Sequence, residues 1–142
     1  ENSNLLRDVP PDRTGSCGAD EVESLLDFAG LRKKTCAHDF LKEASSSSLD
    51  KSESDWGGIE WTWDKSVNFS IFMVQEDISQ GQRVEEFSLE YMGDDGTWIE
   101  AASGTTIGYK RLLQFEPVTA SGVRLVIKSA RHTPIIRGTG LF

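Results

Sequence analysis

Cysteine, histidine and proline are all scarce in this chain, and each shortage closes off a class of explanation. Two cysteines and two histidines among 142 residues give a single close pair of soft ligands, Cys36 and His38, with no clustered carboxylates beside it. A structural zinc ion takes four ligands at tight spacing, so neither a metal centre nor any other cofactor is expected. No oxyanion motif accompanies the pair, which argues against Cys-His nucleophilic chemistry. Cys17 and Cys36 flank a predicted helix that holds them ~25 Å apart at 1.5 Å per residue. A disulfide needs α-carbons within ~7 Å, so the two are not expected to pair with each other.

Positive charge is also short: 15 basic residues stand against 23 acidic ones, for a net charge of -8. That balance excludes a broad electrostatic grip on nucleic acid or on an anionic membrane. Apolar runs are brief, as in the LVI centre of VRLVIK, and fall far below the ~20 residues that span a bilayer. A domain of this length buries roughly 70% of the surface its unfolded chain exposes, so no metal or disulfide staple is required. A chain that opens on Glu1 rather than methionine is expected to lack something upstream, whether a targeting peptide, a larger N-terminal portion or simply some further residues.

What is present divides into three stretches. Pro10, Pro11, Gly15 and Gly18 forbid regular helix over residues 1 to 18. Then Val22, Leu25, Leu26, Phe28 and Ala29 recur at three- and four-residue steps. Asp20, Glu21 and Glu23 open this run, and Arg32, Lys33 and Lys34 close it, which suits the helix dipole at both ends. The pattern predicts one amphipathic helix over residues 19 to 35, its apolar stripe packed on the flank of the domain that follows. Residues 44 to 55, ASSSSLDKSESD, read as a solvated, mobile linker.

From Trp56 onward the pattern is of strands: WGGIEWTW, SVNFSIFMVQ, RVEEFSLEYM, then TWIEAA after the turn GDDG, YKRLLQF, VRLVIKS and RGTGLF. Seven or so short strands with frequent turn signals predict a mainly β fold, an antiparallel β-sandwich with one N-terminal amphipathic helix. The organisation is therefore residues 1 to 43 as lead-in and helix, 44 to 55 as linker, and 56 to 142 as sandwich.

Two blocks carry a family resemblance. Residues 4 to 15, NLLRDVPPDRTG, with the helix ADEVESLLDFAGLRKK, are similar to the last strand and exit helix of the catalytic barrel of α-L-fucosidases. The runs from QEDISQGQRVEEF to GTTIGYKRLLQF, and the ending VRLVIKSARHTPIIRGTGLF, resemble the C-terminal galactose-binding-like (discoidin-like) jelly-roll sandwich of the same enzymes. The resemblance implies a secreted or organelle-lumen home, as for that family. The catalytic nucleophile and acid/base of the family have no counterpart here, since a barrel needs ~250 residues to present them. Arg7 and Asp8 stand where the family pattern has leucine and asparagine. The stretch between the serine run and Trp61 is shorter than in the family, which predicts a lost early strand and rim loop and an exposed sheet edge.

Candidate contact residues follow from side-chain chemistry. Tryptophan faces stack on sugars, and Trp56 is the one of four tryptophans least committed to a core; Trp61 and Trp63 share a strand face and read as core. Arginine forks match planar oxygen pairs, which nominates Arg111 and Arg131, with His132 beside the latter and Tyr109 on the same strand face as Arg111. GTTIGYKRLLQF itself reads as a sandwich corner, its glycines freeing the backbone to turn sharply. Asp94 and Asp95 in GDDG read as turn residues rather than as an acid/base pair. Asn68-Phe69-Ser70 fits the N-glycosylation pattern.

These features together predict a non-enzymatic interaction module, an accessory or structural subunit that contacts protein partners in a larger assembly, with no nucleic-acid partner and no membrane span. A lectin-like module that binds a glycan is the second expectation, and a piece of an active α-L-fucosidase the third.

Overall fold

The computed structural model describes Pro11 and residues 13–142. The positions that depart from the barrel pattern, Arg7 and Asp8, lie outside the described residues. The chain divides into two compact units, one ending at His38 and one running from Asp39 to Phe142.

In the first unit, α1 spans Ala19–Thr35, as the period predicts. Gly18 caps it without a side-chain bond, and the Cys36 N–H closes its last turn on the Arg32 carbonyl at 3.1 Å. Asp20 and Glu21 in the first turn and Arg32, Lys33 and Lys34 in the last complement the macrodipole. Val22, Leu26, Phe28 and Leu31 are exposed. Cys17 and Cys36 are both free and exposed.

The second unit opens with a single 3-10 turn, Phe40–Glu43, capped by the Asp39 carboxylate, which accepts from Leu41 N–H. Six strands follow: β1 (Ser45–Leu49), β2 (Gly58–Glu76), β3 (Val84–Met92), β4 (Trp98–Gly104), β5 (Arg111–Ala130) and β6 (Ile136–Leu141). All pair antiparallel, in the order β1-β2-β5-β3-β4, with β6 on the far part of β2.

β2 and β5, at 19 and 20 residues, are far longer than the usual strand, because each runs through two layers. Residues 58 to 62 of β2 pair with 126 to 122 of β5, and residues 67 to 74 pair with 120 to 111. The register shifts between Thr62 and Val67 and again between Phe69 and Ile71. Such bulges bend a strand and increase its twist, and here they fold the sheet upon itself. Trp61 and Phe72, from the two halves of one strand, consequently meet edge to face with ring centroids 6.1 Å apart. One layer holds β1, early β2, late β5, β3 and β4; the other holds β6, late β2 and early β5.

Period-2 alternation fills the space between the layers. Phe72 and Val74 on β2, Phe87 and Leu89 on β3, Val123, Leu125 and Ile127 on β5, and Leu141 on β6 are all essentially inaccessible. Trp63 packs at the margin of this core and donates its indole N–H to the Phe40 carbonyl at 2.9 Å. Trp98 lies under the Arg124 guanidinium at 4.4 Å.

Two strand pairs of the sequence reading are continuous in the structure. WGGIEWTW and SVNFSIFMVQ merge into β2, and YKRLLQF and VRLVIKS merge into β5 through Pro117. Proline is tolerated there because among the described residues early β5 pairs only with β2, so its other edge needs no N–H donor, and because residues 115 to 117 fall in a register shift. The serine run differs from a linker as well. Residues 45 to 49 form β1, with four exposed serines, held by main-chain pairing to residues 62 to 58. Serine composition carries no strand signal when the pairing is wholly backbone.

Candidate functional site

Four loops lie toward one end of the sandwich, and main-chain hydrogen bonds tie them to the strands or to each other. The segment of residues 50 to 57 joins β1 to β2, and its last turn is tied to β5 by Trp56 N–H to the Ile127 carbonyl (2.7 Å) and Ile127 N–H to the Gly57 carbonyl (2.9 Å). The loop of residues 77 to 83 is stitched to the final loop, residues 131 to 135, by Asp77 N–H to the Ile135 carbonyl and Arg131 N–H to the Arg83 carbonyl, each 2.9 Å. The β4-β5 corner, residues 105 to 110, joins them where Glu76 N–H donates to the Gly108 carbonyl at 2.9 Å.

The corner is GTTIGYKRLLQF seen in three dimensions. Ile107 is fully buried and anchors it, and Gly108 takes φ +65° so that the chain can turn out of the core. Gly104 is required for a different reason. A Cβ there would stand 2.9 Å from the Phe87 ring. The strand begins at Arg111 rather than Tyr109, which leaves the Tyr109 side chain 55% exposed on the loop.

All five sequence candidates, Trp56, Tyr109, Arg111, Arg131 and His132, lie toward this end. They do not converge on one cavity. The Trp56 ring is covered by Lys51 Nζ at 3.4 Å. Arg111 Nη1 donates to the Thr106 carbonyl at 3.3 Å, and Arg131 Nε donates to Glu85 Oε1 at 2.7 Å. His132 is exposed beside Arg131. An open recess of about 220 Å³ near the Glu85–Arg131 pair is lined by Glu85, Glu86, Ser103, Gly104 and Thr105.

Three carboxylates at this end have their pKa values lowered by structural bonds. Ser52 and the Gly57 N–H bond Asp55 and draw its pKa below the ordinary aspartate value. The Ser79 N–H and hydroxyl do the same for Asp77, and Arg131 and Ser129 do so for Glu85. A glycosidase general acid needs the opposite, a carboxyl kept protonated by a raised pKa. At the far end, Asp95 accepts from the Thr97 N–H and hydroxyl, which lower its pKa and fix the GDDG turn, with Gly96 at φ +80°. Among the described residues no group of three or more His, Cys, Asp or Glu is placed to hold a metal ion.

Sequence reasoning missed the group that organises the rim. Glu76 is 1% exposed, and its Oε1 accepts from Arg83 N–H at 2.7 Å and Val84 N–H at 3.0 Å, while its Oε2 is buried without a hydrogen-bond partner. The parity of Phe72, Val74 and Glu76 on one strand face signals that Glu76 points inward. Its partners, seven and eight residues later, carry no such signal. Three exposed apolar side chains were missed as well: Ile78 at 40%, Ile135 at 43% and Leu112 at 60% exposure.

No family model matches the chain. Alpha-L-fucosidase 1 of Arabidopsis thaliana is 29% identical over 99% of this chain and 33% of its own length. A rice protein named for the same activity is 30% identical over 99% of the chain and 32% of its own length. A solved glycoside hydrolase 29 family member from an unknown rumen bacterium superposes with a TM-score of 0.85 at 25% identity, covering 99% of this chain and 26% of that one. The chain is related to the C-terminal portion of α-L-fucosidases. It spans about a third of the length of the curated relatives it matches. The sandwich alone is shared more widely. A family 32 carbohydrate-binding module from C. perfringens NanJ, solved with galactose, has the same fold at 11% identity and a TM-score of 0.57, over 71% of this chain and 94% of that one. Among the described residues no helix is long and apolar enough to cross a membrane.

Proposed function

We propose that this chain is a non-catalytic interaction module of the fucosidase C-terminal type, whose loop rim contacts a protein surface in a larger assembly. The observation that carries the reading is the composition of the rim. Ile78 and Ile135, each 40% exposed or more, come from two loops hydrogen-bonded to each other, Tyr109, 55% exposed, comes from the corner bonded to the last residue of β2, and Leu112 follows at the start of β5. Arg83, Arg111 and Arg131 stand among them. Apolar and aromatic side chains mixed with arginine, and rimmed by polar groups, are the chemistry of a protein interface. The loops are held by paired backbone groups and capped carboxylates, so ordering them costs little on association.

The lowered pKa values of Asp55, Asp77 and Glu85 support a non-catalytic role, because none of these groups is a proton donor at neutral pH. A glycan-binding role is the second reading, favoured by the exposed Tyr109 ring and by a sandwich shared with a galactose-bound module. Its contacts would be Trp56, Tyr109 and Arg111.

Cross-linking of the chain isolated gently from its source, with the linked residues mapped by mass spectrometry, separates these readings. Links to a protein partner concentrated on residues 77 to 83, 105 to 112 and 131 to 135 are the expected result. Links that avoid the rim contradict it. Saturable binding of a sugar at millimolar concentration, lost on Tyr109→Ala or Arg111→Ala, would establish the glycan reading instead.

A further inference from the structure

Asn68 occupies a position that the rim does not use. We propose that Asn68, in the sequence Asn68-Phe69-Ser70, is an N-glycosylation site whose oligosaccharide covers the outer face of the small layer. The inference rests on the lumenal or secreted home expected from the family and not on the rim interface. Three observations carry it.

The first is orientation. Side chains alternate across a strand, and in β2 Phe69 is 1% exposed in the core whereas Asn68 is exposed on the opposite face. The strand position therefore presents the acceptor amide to solvent. The second is partnership. Asn68 Nδ2 donates to Thr119 Oγ1 at 2.9 Å and to the Val118 carbonyl at 3.4 Å, both on the surface of the neighbouring strand. No core bond is broken when this nitrogen carries a sugar. The third is Ser70, whose N–H is bonded to the Phe142 carbonyl at 2.8 Å. The contact that ties Ser70 to the C-terminal residue is thus a main-chain one.

The location also has a physical use. Early β5, opposite Asn68, pairs only with β2 among the described residues, so its other edge is unpaired. A bulky hydrated oligosaccharide beside an open edge blocks edge-to-edge pairing, which is the hazard such edges carry. Asn68 is eight residues from the rim end of β2, about 26 Å at 3.3 Å per residue. A glycan there leaves the rim accessible.

The test has two arms. Expressed behind a secretion signal in a eukaryotic host, the chain should carry a mass increment that an N-glycan-releasing amidase removes, converting Asn68 to aspartate. Ser70→Ala and Asn68→Gln should each abolish the increment while the secreted protein keeps its strand-rich circular dichroism. A secreted, folded wild-type chain without the increment overturns the assignment of the site. The chain isolated from its own source should carry the same increment. Its absence there, with the first arm positive, would overturn the lumenal home and with it glycosylation in life, leaving only the site's competence.

Discussion

Replacing Glu76 by alanine should destabilise the sandwich through the two N–H groups that it leaves without their acceptor. The Val84 N–H that Glu76 serves is fully buried, and the Arg83 N–H partly so. An unsatisfied buried donor costs about 1–3 kcal/mol, and loss of the second bond, which water can partly replace, costs about 1 kcal/mol. The sum is about 2–4 kcal/mol, or a fall in Tm of roughly 8–16 °C for a unit of this size. Glu76→Gln keeps one carbonyl acceptor for both N–H groups but puts an amide nitrogen where the buried Oε2 stands. It should fall between wild type and alanine. Urea unfolding followed by the fluorescence of Trp61, 5% exposed in the core, measures all three. An alanine variant within about 0.5 kcal/mol of wild type, well short of the cost of one orphaned donor, would refute the assignment of Glu76 as the acceptor that joins β2 to β3.

Other outcomes follow from the same packing. Gly58→Ala would set a Cβ against the Leu125 carbonyl of the paired strand, and a backbone clash of that kind should cost about 3 kcal/mol or more; soluble yield and urea midpoint should both fall. Leu125→Ala, at a fully buried position, should cost about 2–5 kcal/mol in the same unfolding assay. Stability should also fall in acid. Asp55, Asp77, Glu85, Asp95 and Glu100 all have folded-state pKa values below their ordinary ones, so the unfolded chain binds protons first and stability declines as pH drops through the carboxylate range, below about 5. Thermal melts between pH 7 and 3 check the sign, and a Tm that rises toward pH 3 would contradict it.

The fold was legible where periodicity was strong and obscure where main-chain pairing alone decided. Helix α1 follows from the three- and four-residue recurrence and its charge ends. The alternation of Val123, Leu125 and Ile127, and of Phe87 and Leu89, marks buried strand faces directly. β1 was hidden because SSSSL contributes four exposed hydroxyls and only backbone bonds to β2. The continuity of β2 and β5 was hidden by residues that usually punctuate strands, Gly122 and Pro117, which here sit at bends and register shifts. At the rim, residue chemistry nominated Tyr109, Arg111 and Arg131 as contact groups, and the structure leaves Tyr109 and Arg131 exposed and Arg111 half-buried. Their engagement with Thr106 and Glu85, and the exposure of Ile78 and Ile135, depend on loops that meet only after the sheet has folded over.

The most direct test of the interaction reading is the native mass of the chain isolated gently from its source, beside that of an Ile78→Asp, Ile135→Asp variant returned to the same source. The account predicts a stoichiometric complex well above the 15.7 kDa of the chain, lost in the variant while its Tm is kept. A wild-type chain found free at its own mass would contradict it.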